Sequence, residues 1–206
     1  MKLVTPDVIR VDDLPAVARI HYESLPDDFL PSLGLDFLEA AYYPAAIQSQ
    51  HAVTYVVRID DVPAGFVTIA HDSDRYTKDV LKGRYLMIGG YALRAALRDP
   101  SYLVRSAQVF RAALLSKPDP IKGEIVFIAV DKNHRRHGFG VQLISCAIEY
   151  MQQKGIGQCR TKTLASNANV IGMYEKLGWH VRDHFWLMQR EYVTLVSEDL
   201  LSKVAG

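Results

Sequence analysis

Cysteine is scarce in this chain: 206 residues carry two, Cys146 and Cys159. A pair so placed has neither the spacing of a zinc site nor the density of a disulfide framework. A reducing cytoplasm is the expected setting. Long apolar runs are missing too. The greasiest stretch, 86–93, is bounded by Arg84 and Arg94, far short of the ~20 residues that span a bilayer. The opening MKLVTPDVIRVDD has no apolar segment of the kind a cleaved secretory leader needs. Charge of one sign is absent: 24 Lys and Arg face 23 Asp and Glu, a net of +1, so no nucleic-acid partner is expected. There is no internal repeat, no low-complexity tract and no Gly-x-Ser-x-Gly nucleophile motif. His134 and His137 stand three apart without a third ligand in reach, so no metal is expected.

What is present suits one α/β domain over 1–206, since a 49% hydrophobic and 23% charged composition is ordinary for a folded globular chain. A short strand is predicted over 8–11, with Asp12 or Asp13 capping a helix whose stripe is Leu14, Val17, Ala18 and Tyr22. A second helix is predicted over 35–48. Strands over 53–59 and 65–70 flank Asp60-Asp61-Val62-Pro63, a link that reads as a hairpin turn. Two helices are expected over 79–98 and 101–116, the first weakened or broken at Gly89-Gly90. After Pro118-Asp119-Pro120 come a strand (124–130), a helix (138–154) ended by Gly155, a strand (159–164), a helix (167–177) stopped by Gly178, and strands near 181–187 and 192–197. The strand at 124–130 is apolar on both faces after its glutamate and so belongs in the middle of a sheet.

The most informative stretch is GEIVFIAVDKNHRRHGFGV, from Gly123 to Val141. A strand enters a basic loop, then a glycine pair, then an amphipathic helix. A helix N-terminus presents unpaired N–H groups and a partial positive charge, so this order suits a phosphate-bearing ligand. Gly138 and Gly140 remove side chains where backbone must come close, and Arg135 and Arg136 add charge. Gly138-Phe139-Gly140 lacks the third glycine of a dinucleotide fingerprint, and no Walker lysine follows it.

Arg135-Arg136-His137-Gly138-Phe139-Gly140 fits the pattern Arg/Gln-x-x-Gly-x-Gly/Ala, and with its flanks resembles the acetyl-coenzyme A signature of the GNAT superfamily of N-acetyltransferases. The resemblance is specific over 124–179 and topological elsewhere. It implies a mixed, mostly antiparallel central sheet flanked by helices, here with a helical insertion (about 74–120) between the third and fourth strands. It implies acetyl-CoA as co-substrate, with the diphosphate on the backbone of Arg136, His137, Gly138, Phe139, Gly140 and Val141 beside Arg135. The pantetheine arm would pair with Ile128, Ala129 and Val130, and the Val130 amide would polarise the thioester carbonyl. Asn167 to Trp179, NANVIGMYEKLGW, resembles the stretch in which an asparagine precedes a tyrosine by seven residues. Tyr174 is then the implied acid for the leaving thiolate and Asn167 a hydrogen-bonding partner of the cofactor arm. Val170 stands where the family carries a small residue, and Trp179 where it carries phenylalanine. Glu124-Ile125-Val126-Phe127-Ile128-Ala129 resembles the fourth strand of the histone-acetylating branch, where the glutamate is the general base. The chemistry requires such a base, because a primary amine with a pKa of about 10 is charged at pH 7 and must shed a proton to attack.

The expected activity is acetyl transfer to a primary amine of a small molecule, amino sugar or peptide, in a ternary complex. The other class that fits is a non-catalytic acyl-CoA sensor, which would keep the loop but not need Glu124 or Tyr174. Between 75 and 117 nine basic residues face two acids, a net of +7, which points to a solvated face or to a wall for an anionic acceptor. Specificity is expected from 25–43, where Asp27, Asp28 and Phe29 are candidates to face an amine, from the insertion and from the last hairpin. A homodimer is compatible with exposed sheet edges.

Overall fold

The computed structural model describes residues 5–26, 28–100, 104, 107–109, 111 and 119–201, with the Arg98 side chain outside the description. Its strands are β1 (Asp7–Val8), β2 (Ala52–Ile59), β3 (Val62–Ala70), β4 (Gly123–Val130), β5 (Cys159–Leu164), β6 (Trp179–Leu187) and β7 (Arg190–Ser197). They form one sheet in the order β1-β2-β3-β4-β5-β7-β6. Every neighbouring pair is antiparallel except β4 and β5. The expected central position of the 124–130 strand is therefore observed.

One face of the sheet is covered by α1 (Leu14–Ser24), the short helices α2 (Phe29–Ser32), α3 (Leu35–Phe37) and α4 (Tyr43–Ala46), and the insertion helices α5 (Ser73–Leu81) and α6 (Tyr85–Arg98). Val17, Ile20, Leu38, Tyr43 and Phe66 are buried there. The other face is covered by α7 (Phe139–Gln153) and α8 (Ala168–Lys176), over a core that includes Ile125, Leu143, Ile144, Met151, Tyr174 and Leu195. Full burial of each such aliphatic side chain stabilises by about 1.5–3 kcal/mol. Among the described residues no helix is long and apolar enough to cross a membrane.

Several local expectations give way to geometry. The first strand is only Asp7–Val8, and Val11–Asp13 turns into a 3₁₀ helix instead. Asp13 does not cap α1; it is buried, accepts the Arg10 amide and pairs with Arg58. The helix expected over 35–48 is split, with a π-helix at Leu38–Tyr42 between α3 and α4. Pro44 explains the widening, because it has no N–H to bond four residues back and its ring crowds that carbonyl. In the insertion the break falls at Gly83 (φ +72°), while α6 runs unbroken through Gly89 and Gly90. Gly83 adopts the left-handed conformation at no steric cost, which places the stop there. The helix expected over 101–116 falls mostly outside the described residues, as do Asp27, Arg105 and Lys117. The final hairpin turns at Met188 and Gln189, both with positive φ (51° and 61°), so no glycine or asparagine announced it.

Candidate functional site

Three features of β4 build the site. It carries a bulge: Thr68 pairs with Phe127 and Ile69 with Ile125, leaving Val126 as the extra residue. The bulge puts Val126 and Phe127 on the same face, against the α1 side of the core, and bends the strand. Beyond it β4 leaves its parallel partner. Only Gly123, Glu124 and Ile125 pair with β5, opposite Cys159, Arg160 and Thr161. From Val126 onward β4 follows β3, while β5 follows β7 through Leu164 opposite Tyr192. The two strands thus open into a V whose apex is Ile125 and Thr161. The Thr161 hydroxyl donates to the Ile125 carbonyl there, at 3.0 Å.

The wide end of the V meets the loop before α7. The Asp131 amide donates to the Ala64 carbonyl on β3 at 2.8 Å. Because alternate residues of a strand turn their N–H groups to opposite edges, the amides of Ile128 and Val130 face into the V and that of Ala129 faces β3. Arg136 (φ +66°) and Gly138 (φ +81°) twist the loop into the helix. The first rung of α7 is Gln142 N–H to Gly138 O at 3.1 Å, so the amides of Phe139, Gly140 and Val141 have no helical acceptor. A Cβ built on Gly140 would touch only Met173 Sδ, at 3.6 Å. The packing of the chain does not itself require glycine at that position. Backbone there is open to a close-approaching ligand.

Arg135 serves the fold. Its Nε donates to Val130 O at 3.1 Å and its Nη2 to Ser24 Oγ at 3.1 Å, fastening the loop to the end of α1. Ser24 also donates to Val130 O, at 3.4 Å. His137 lies on the ring of Phe139, centroids 6.2 Å apart. Arg136 is exposed and makes no ion pair among the described residues.

At the apex the two implied catalytic groups lie on opposite faces. Adjacent residues of a strand point opposite ways, and Ile125 belongs to the α7–α8 face with Tyr174. Tyr174 is 1% exposed, its ring 4.8 Å from that of Trp179, and its hydroxyl interacts with the Thr161 side chain without a well-formed hydrogen bond among the described residues. Burial raises its pKa well above the ordinary phenol value, with Thr161 opposing, so it stays protonated at neutral pH. Asn167 precedes α8 and its side chain forms no capping bond, although its carbonyl accepts from Val170 and Ile171.

On the other face Glu124 is buried and doubly engaged. Arg160 reaches Oε2 through Nε (3.0 Å) and Nη2 (2.7 Å), and Lys162 Nζ is 3.1 Å from Oε1. Burial pushes the carboxyl up, but Lys162 and then Arg160 outweigh it and hold the pKa below the ordinary value. Arg160 also donates to Ser73 Oγ at 2.9 Å and pairs with Asp119. Asp119 in turn accepts two bonds from Arg182, at 2.7 and 3.1 Å. The result is a chain of alternating charge, Lys162–Glu124–Arg160–Asp119–Arg182, across the closed end of the V. Sequence reasoning found Glu124 but missed its partners. The alternation of CRTKTL, which puts Arg160 and Lys162 on one face of a strand beside β4, was the signal available.

Comparison with known proteins agrees with this fold. The model of a family described as the acetyltransferase (GNAT) family matches residues 15–179. The [ribosomal protein bS18]-alanine N-acetyltransferase of Escherichia coli K12 is 36% identical over 53 residues, 26% of this chain and 36% of that protein. The chain thus spans about a third of the length of the curated relatives it matches. In three dimensions it resembles the ribosomal-protein-alanine N-acetyltransferase of Brucella melitensis, with a TM-score of 0.63, 12% identity and coverage of 95% of this chain and 99% of the other. The ribosomal-protein-S18-alanine N-acetyltransferase structure from Escherichia coli gives 0.58 at 15% identity, covering 96% and 94%.

Proposed function

Because this chain belongs to the acetyltransferase (GNAT) family, we propose that it is an N-acetyltransferase that moves an acetyl group from acetyl-CoA to a primary amine. The observation that carries the reading is the V itself. It has a main-chain edge on one arm, helix-start amides at the mouth and a buried, protonated phenol at the apex. A non-catalytic sensor would need neither the Tyr174 phenol nor the Glu124 carboxylate.

The residues fit the co-substrate. The amides of Phe139, Gly140 and Val141, with the charge of Arg136 near them, would hold the diphosphate. Those of Ile128 and Val130 would pair with the amide-bearing arm as a sheet edge pairs with an added strand. When bound, acetyl-CoA supplies an activated acetyl group. Tyr174 holds a proton for the departing sulfur at a site that excludes water. Glu124 takes the proton that the attacking amine sheds, its basicity reduced in the resting state by Lys162 and Arg160. Arg135 and Ser24 keep the Val130 carbonyl bonded and so fix the mouth of the V. An alanine amine of a ribosomal protein, the acceptor named for the relatives above, is the first to try, followed by amino sugars, polyamines and free amino acids.

The test is calorimetry with coenzyme A and acetyl-CoA, then thiol release with those amines. Binding with amine-dependent turnover is expected. Tight binding with no turnover on any amine would favour the sensor, and no binding would end the reading.

A further inference from the structure

The acceptor side of the apex already holds an amine that belongs to the chain. Lys162 is the first residue of β5 beyond its last pairing with β4, and alternation puts its side chain on the Glu124 face. Its Nζ stands 3.1 Å from Glu124 Oε1, in the position that an incoming amine would need in order to hand over a proton. The two cations on Glu124 differ in kind. Arg160 is buried and fixed by Glu124, Ser73 and Asp119 together. The Lys162 side chain is 43% exposed, and Glu124 is its one ion-pair partner among the described residues. A lysine on a four-carbon stem, tethered at one point, can swing between the carboxylate and the gap between the strands.

We propose that Lys162 is a self-acetylation site, and that its modification switches the enzyme to a more active form by releasing Glu124 from its only partly exposed cationic partner. The inference rests on the acetyltransferase reading above. In the step, a bond forms between Lys162 Nζ and the acetyl carbonyl carbon, and the carbon–sulfur bond breaks. The ammonium sheds two protons through Glu124 to solvent. Tyr174 gives one proton to the leaving sulfur and regains it from solvent. The net products are N-acetyl-lysine, the coenzyme A thiol and one released proton.

The consequence follows from electrostatics. Lys162 leads the influences that depress the Glu124 carboxyl, and an amide carries no charge. After acetylation only Arg160 opposes the effect of burial, so Glu124 becomes a stronger proton acceptor for an outside amine. Proximity favours the intramolecular reaction, since the amine is delivered by the same strand that forms one arm of the V.

The test uses the full chain and isotopically labelled acetyl-CoA, read by peptide mass spectrometry and by calorimetry in parallel. Acetyl on Lys162, endogenous or labelled, should form at a rate per molecule independent of protein concentration and ahead of the exposed lysines Lys154 and Lys176. Lys162→Gln, which mimics the neutral amide, should exceed Lys162→Arg in kcat by about fivefold or more on an outside amine. The proposal is overturned by a protein that binds and turns over acetyl-CoA while Lys162 stays unmodified, or is labelled no faster than Lys154 and Lys176. Equal kcat in the two variants would overturn the switch. Failure to bind acetyl-CoA at all would instead take down the enzymatic reading and this inference with it.

Discussion

The Thr161 hydroxyl donates to the Ile125 carbonyl at 3.0 Å, at the last residue pair before β4 and β5 separate. That bond closes the point of the V and satisfies a carbonyl from which the paired strand has just departed. Thr161→Val keeps the shape and removes the donor, leaving a buried acceptor unpaired. A loss of about 1–2 kcal/mol is expected in chemical unfolding. A weaker affinity for acetyl-CoA should accompany it, since the apex sets the angle between the arms. A variant as stable as the parent would show that the apex is held by something else.

Tyr174→Phe separates chemistry from packing. The hydroxyl makes no well-formed bond within the fold beyond its interaction with Thr161, so its removal should leave stability within about 1 kcal/mol of the parent. If the phenol protonates the leaving sulfur, kcat should fall by about 10²-fold or more while coenzyme A binding by calorimetry stays nearly unchanged. A large loss of stability with unchanged kcat would reverse the assignment and make Tyr174 a packing residue.

Much of this site was legible in advance, and the reasons are local. The 124–130 strand, the 138–154 helix and the glycines between them are each fixed by short-range chemistry: an apolar run, a 3.6-residue stripe, positions that tolerate close backbone. Tyr174 and Asn167 came from resemblance, which encodes a tertiary arrangement that spacing alone does not. The missed features are those in which distant residues decide. Gly83 and the Gly89-Gly90 pair offer the same chemistry in sequence; the left-handed conformation taken at Gly83 is what ends the helix there. The partners of Glu124, Arg160 and Lys162, come from β5, 36 and 38 residues away in sequence, and the further acid on Arg160, Asp119, comes from the end of the insertion. The charge of Arg135 is visible in sequence, whereas its bonds to the Val130 carbonyl and the Ser24 hydroxyl are not.

Glu124 should respond differently to two truncations. Glu124→Gln preserves an acceptor for Arg160 and fills the same volume. Glu124→Ala leaves Arg160 with Asp119 and Ser73 but removes a buried counter-charge, at a cost of about 3 kcal/mol. Both should lower kcat alike if the carboxylate accepts the amine's proton. A pH–rate profile whose acidic limb is lost in Glu124→Gln would identify the carboxylate as the group titrating on that limb; an unchanged limb would point to another base.

Gly140→Ala tests whether the glycine is kept for the chain or for a ligand. The new methyl would meet only Met173 Sδ at an ordinary contact distance, and alanine is the better helix former by about 1 kcal/mol. Stability should therefore hold or rise. Affinity for coenzyme A should nevertheless drop about tenfold or more, equivalent to about 1.4 kcal/mol, because the methyl stands where backbone must approach the diphosphate. Equal affinity would move the phosphate site away from the start of α7.

His21 supplies a test of pH dependence. It is fully buried on α1, with Nδ1 2.8 Å from the Tyr43 hydroxyl and its ring 4.4 Å from that of Phe127, and burial drives its pKa from 6.5 down to about 3. Its folded value lies below the unfolded one, so between those two limits the unfolded chain binds a proton that the folded chain refuses. Stability is full above pH 6.5 and falls as pH drops toward 3, by about 1.4 kcal/mol per pH unit for one such group. His71, whose pKa is also lowered, contributes in the same direction from a more solvated site. The paired carboxylates Asp13, Asp119 and Glu124 lie below their ordinary values and lose their contribution only at lower pH. Urea unfolding between about pH 6.5 and pH 5 therefore isolates the histidines. His21→Gln, which keeps a partner for Tyr43, should reduce the slope in that window by about one proton's worth. A slope that survives the substitution would mean that His21 takes up a proton within the folded state, and that the cluster around Phe127 opens to water.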